Sequence, residues 1–221
     1  MKRQLAILVL ALATTFALGG AQDALAAASA GPVPQGPSMI FATDNTAIIT
    51  DPNDPRLDTR LTGFEVQVES IVRHGGAQPR RSLLVDGVFW SSDLQQITYE
   101  TSREFDVARA TPTELHDIAD TIRVRFHQES VLTFRLLPKA SPDVNAVLIE
   151  TPGIDVQRLH DGLVANPAVR DELVGGSVTK HHELLEIASL GDLDLALQFI
   201  ASIGGNPANT RIQYGADEFV G

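Results

Sequence analysis

Cysteine is absent from the chain. That excludes disulfides, thiolate metal sites, a cysteine nucleophile and a lipidated cysteine, so an exported form must be held by its own core. Basic residues are few: 17 Lys and Arg stand against 28 Asp and Glu, a formal net charge of −11. A nucleic-acid binder needs a basic footprint that releases counterions from phosphates, and this balance is the reverse. Arg80-Arg81 and the Arg123/Arg125 pair read as solvated surface and do not change that. Aromatics make up 5% of the residues, which leaves little for a platform that stacks bases or sugars. No Gly-x-Ser-x-Gly elbow, P-loop or Gly-x-Gly-x-x-Gly occurs, and no cofactor is expected. Beyond the leader, no apolar run approaches the ~20 residues of a membrane span.

What is present begins with that leader. Lys2 and Arg3 form a positive n-region, Leu5 to Leu18 an apolar h-region, and 19–30 offers small-residue cleavage sites after Ala21, Ala26 or Ala30. Residues 1–26 are expected to be a signal peptide, and the protein exported to the periplasm or beyond the cell. Residues 27–60 are punctuated by Gly-Pro and Asp-Pro pairs and read as a linker. Asp51, Asn53, Asp54 and Asp58 are oxygen-rich, but their spacing matches no EF-hand loop, and a solvated turn is expected.

Residues 61–138 carry the clearest periodicity. Phe64 to Val72 alternates and reads as a strand; Ser82 to Phe89 follows, with Asp86-Gly87 as a hairpin turn signal. Ile97, Tyr99, Phe105 and Val107 alternate with polar residues in a further strand. Thr111-Pro112-Thr113-Glu114 is a capping box with Pro at the first helical position, and Leu115, Ile118, Ile122 and Phe126 continue it as one apolar stripe. Val131 to Leu137 reads as a central strand.

Residues 139–221 read as a mainly helical extension packed on the same core. Asn145 to Glu150 is a short strand; Ile154 to Leu173 is helix broken at Asn166-Pro167 and stopped by Gly175-Gly176. Lys180 to Ala188 and Asp192 to Ile203 read as two more helices, and Thr210 to Tyr214 as a last strand. No internal repeat is visible.

Two constellations invite chemistry. Arg73-His74-Gly75 at the end of the expected Phe64–Val72 strand is the tripeptide with which histidine phosphatases attack phosphorus, His as nucleophile and Arg holding phosphate oxygens. The second arginine of that pattern is missing, since Gly76-Ala77-Gln78-Pro79 follows. His181-His182-Glu183 suggests a metal, but adjacent histidines on a helix point about 100° apart and do not ligate together, so no metal site is expected.

A further polar group comprises Glu100, Ser102, Arg103, Gln128, Glu129 and Ser130. Arg103 lies in phase with the apolar side of its strand, and Glu129 sits where the helix passes into the next strand. A charge at either place is costly unless paired, which predicts an Arg103–Glu129 pair.

The run Glu100-Thr101-Ser102-Arg103, with Gly87 and Trp90 before it and Arg125-Phe126-His127-Gln128-Glu129-Ser130-Val131-Leu132 after it, resembles a family of small exported bacterial proteins (domain of unknown function, number 3574) over about residues 83–137. His127 stands where that pattern has Gly, and the chain continues past the point where members usually end. The resemblance implies a ferredoxin-like α+β unit.

The expected architecture is therefore α+β: a ferredoxin-like sheet of about four strands with a helical C-terminal extension. The expected role is non-catalytic, binding or accessory, with a small molecule or protein as partner. The alternatives are a phosphate-ester hydrolase using His74, and a self-associating structural protein that pairs open sheet edges into a homo-oligomer.

Overall fold

The computed structural model describes residues 36–47, 56–91 and 96–221. The expected signal peptide, Ile48-Ile49, the Asp51, Asn53 and Asp54 group, and the side chains of Asp58 and Trp90 lie outside the described residues.

Two halves follow one another with the same order of elements. The first is β1 (Ser38–Ala42), α1 (Arg56–His74), β2 (Gln78–Ser91), β3 (Gln96–Ala108), α2 (Pro112–Arg125) and β4 (Val131–Leu136). The second is β5 (Ala146–Pro152), α3 (Val156–Ala165) with α4 (Pro167–Glu172), β6 (Gly175–Thr179), β7 (Glu183–Ser189), α5 (Leu193–Ser202) and β8 (Arg211–Val220). Each half runs strand, helix, strand, strand, helix, strand, so the fold contains a duplication that the sequence does not display.

The eight strands close into one barrel in the order β1-β3-β2-β6-β7-β5-β8-β4, every neighbour antiparallel. Pairs β2–β6 and β4–β8 join the halves. This overturns the expected ferredoxin-like sheet of about four strands with a helical extension: residues 139–221 contribute half of a closed barrel. It also removes the reason given for self-association, because closure leaves these strands no free edge.

Three local misreadings account for the difference. Phe64–Val72 is not a strand but part of α1. Leu61, Phe64, Val68, Ile71 and Val72 recur at helical spacing and are all buried, whereas Val66, which completes the apparent alternation, is 65% exposed. Asp86-Gly87 does not turn; β2 runs through it, with Asp86 opposite Thr101 and Gly87 opposite Glu100. Lys180–Ala188 is not a helix but the end of the β6–β7 hairpin and β7 itself. Leu184, Leu185, Glu186, Ile187 and Ala188 form a continuous run buried on both faces, which periodicity alone does not distinguish from helix.

The capping box at α2 forms as expected: Glu114 N donates to Thr111 Oγ1 at 3.1 Å and Thr111 N to Glu114 Oε2 at 2.8 Å. These bonds hold the Glu114 carboxyl below its ordinary pKa.

Strand alternation separates three apolar layers. Ile40, Ala42, Phe105 and Val107 pack against α1 and α2. Val147, Ile149, Leu184 and Ala188 pack with Leu159 of α3 and Phe199 and Ile200 of α5. Met39, Val85, Phe134, Leu148, Leu185 and Ile187 make the third cluster, from the opposite faces of the same strands, and fill the barrel. Among the described residues, no helix is long and apolar enough to cross a membrane.

Candidate functional site

The ends of β1 and β8, the starts of β3, β4 and β6, and helices α3 and α4 surround a cavity of about 480 Å³ at one mouth of the barrel. That volume is within the range of small-molecule sites. Phe41, Leu132, Leu185 and Ile187 line it from the inner face of the barrel. Val88, Leu163 and Leu173 line it from the layer under α3 and α4. The two spaces meet beside Gly175 and Gly176, where β6 carries no side chains.

Polar groups converge on this apolar lining. Glu100, Ser102, Gln128, Glu129 and Ser130, expected from the sequence to cluster, all border the cavity. Gln128 follows the end of α2, where Phe126 N donates to Ile122 O at 3.0 Å and Gln128 N to Arg123 O at 3.0 Å. This closes the helix with His127 in the left-handed conformation at φ 53°. So placed, Gln128 is 8% exposed, its Oε1 accepts from Thr43 N at 2.9 Å, and its Nε2 has no protein partner. Glu129 and Ser130 are exposed at the rim.

Arg103 is the exception among the six. Its guanidinium pairs with Glu65 of α1, and its Nε donates to Ser82 Oγ at 3.1 Å. The expected Arg103–Glu129 pair is therefore replaced by an Arg103–Glu65 brace. The helix that the alternating reading concealed supplies the carboxylate, and Glu129, being exposed, needs no partner.

Glu186 was not expected. It is 1% exposed on β7, and neither carboxyl oxygen has a protein partner. Its register partners are Gly176 and Ile149, and Leu159 also packs there. Burial pushes its pKa well above the ordinary carboxylate range, which favours the protonated form. The available signal was a lone carboxylate inside Leu-Leu-Glu-Ile-Ala, hidden by reading that run as a surface helix. Glu100 is also raised by burial, with Arg60 opposing the shift.

A second carboxyl group stands on the inner face of the barrel, the side of the sheet that Glu186 turns away from. Glu104, 4% exposed, is pushed up to about 7 by burial and by Asp106, with Arg81 at 3.8 Å opposing. Glu150 adds to the upward push and is itself paired with Arg211.

The histidine motif lies apart from both. Arg73 and His74 are in the last turn of α1, not at a strand end. Arg73 is bound to Glu69 at 2.7 Å, and His74 Nδ1 donates to Ser70 O at 2.7 Å. His181 and His182 lie in the β6–β7 hairpin, and among the described residues no group of three His, Asp or Glu is placed to hold a metal ion.

No family model matches the chain, and no curated protein matches it. Among solved structures, an anthrone oxidase-like protein aligns over 86% of this chain and 95% of its own length, at 10% identity and a TM-score of 0.26. A likeness that low supports no conclusion about fold or activity.

Proposed function

We propose that the protein is an exported binding protein for a small, mainly apolar molecule, taken into the mouth of the barrel. One observation carries this reading. Gln128 Nε2 and both Glu186 oxygens are buried without protein partners and border a cavity that is otherwise largely apolar. Buried polar atoms left unpaired cost about 1–3 kcal/mol each, and a bound molecule that pairs with them recovers that energy. The leader pattern of residues 1–26 supports export. The hydrolase alternative has less support, since Arg73 is engaged by Glu69. Of the residues behind the resemblance to the small exported family, Gly87, Glu100, Ser102, Gln128, Glu129, Ser130 and Leu132 border this mouth, and we extend the proposal to that shared feature.

Titration with an environment-sensitive apolar dye tests the reading. A Cβ at Gly175 would meet only Leu132 Cδ2, at 3.8 Å, so Gly175→Leu adds bulk to the cavity without a backbone clash. Wild type should show one saturable site, and Gly175→Leu should weaken it by about ten-fold or more. Equal dye binding by a folded Gly175→Leu variant overturns the proposal.

A further inference from the structure

The charged groups around the cavity are uneven in sign. Glu100 approaches from β3, Glu129 from the loop before β4, Glu186 from β7 and Arg170 from α4. Arg170 Nε already donates to Asp171 at 2.9 Å, so its charge is largely answered on its own helix. Around Glu186 itself, β5 presents Ile149, β6 presents Gly176, and α3 presents Leu159. No cation in that set neutralises its carboxylate. An anionic ligand would meet three carboxyl groups, whereas a cation would meet Glu186, among the described residues the one buried side chain with two vacant acceptor oxygens.

We propose that the cavity selects a lipophilic amine, its hydrocarbon part against Val88, Leu163 and Leu173, on the side of the sheet that Glu186 faces, and its ammonium on Glu186. This deepens the binding reading and rests on it. The amine enters protonated; Glu186, which burial disposes to the protonated form, releases its proton to solvent through the mouth, and an ammonium–carboxylate pair remains. Charge and atoms balance: one ammonium is taken up and one proton is given back. An alcohol of the same chain length satisfies the apolar wall but leaves Glu186 un-ionised, so it gains one neutral hydrogen bond instead of a charge-assisted one.

Calorimetric titration with octylamine, octanol and octanoate at near-neutral pH, in two buffers of different ionisation enthalpy, tests this. Wild type should prefer octylamine over octanol by about ten-fold, with octanoate weakest, and should release close to one proton per amine bound. In Glu186→Gln the amine preference over octanol should fall to about three-fold or less and the proton release should disappear. Should that variant not fold, the wild-type proton release decides alone. Octanol binding as tightly as octylamine, amine binding without proton release, or release retained in Glu186→Gln overturns the amine assignment while leaving the cavity as a binding site. Binding of none of the three removes both readings together.

Discussion

Glu186 and Gly176 face each other across the β6–β7 pair, and a Cβ at Gly176 would stand 2.5 Å from Glu186 Oε2 and 3.3 Å from Leu159 Cδ2. The buried carboxyl occupies the space that a side chain on β6 would take. The glycine is required there by contact, not by backbone conformation.

Gly176→Ala should therefore destabilise the fold by about 1–3 kcal/mol, because carboxyl or leucine must leave a packed position. Adding Glu186→Ala should return part of that loss, since it vacates the space the new methyl needs. Urea denaturation of the two single variants and the double variant measures the coupling. Simple additivity would show that the two positions do not compete.

Glu104 gives the stability a pH dependence of known sign. Its folded pKa lies above the ordinary 4.5, at about 7, so the folded state holds the proton that the unfolded state has released. The contribution is fully favourable below pH 4.5 and declines as pH rises toward 7, by on the order of 3 kcal/mol. Glu104→Gln should reduce the slope over that window, leaving the part in the same direction that Glu186 supplies. Midpoints of denaturation from acid to neutral pH check this, and an unchanged slope in the variant would count against it.

Arg103 and Glu65 should couple. A double-mutant cycle with Arg103→Met and Glu65→Gln is expected to give about 1–2 kcal/mol, because either single change leaves a largely buried charge without its partner. The same cycle between Arg103 and Glu129 should be additive. Coupling to Glu129 instead would contradict the brace.

His127 holds a left-handed conformation, φ 53°, at the end of α2. A residue with a Cβ is disfavoured there and glycine is not. His127→Gly should raise stability by about 1 kcal/mol in urea denaturation, and a loss of stability would show that the imidazole makes a compensating contact.

How much of this was legible depends on how local each signal was. The α2 capping box, the break at Asn166-Pro167 and the α5 stripe are written in adjacent residues, and all appear in the structure. Glu100, Ser102, Gln128, Glu129 and Ser130 were grouped from sequence and do share a cavity, although they were grouped to explain a pair that does not form. Closure of the barrel was not legible, because the β2–β6 and β4–β8 pairings that join the halves connect residues far apart in the chain. Glu186 was lost with the misreading of β7. A run buried on both faces has no period to announce it as a strand, and its one carboxylate then looks like the polar side of a helix.

The most direct measurement is the electron density of crystals grown with octylamine at saturating concentration. The proposal predicts one molecule in the barrel mouth, its chain against Val88, Leu163 and Leu173 and its nitrogen within hydrogen-bonding distance of the Glu186 carboxyl. Density for the amine at another site, or an empty mouth under conditions where binding is complete in solution, would contradict it.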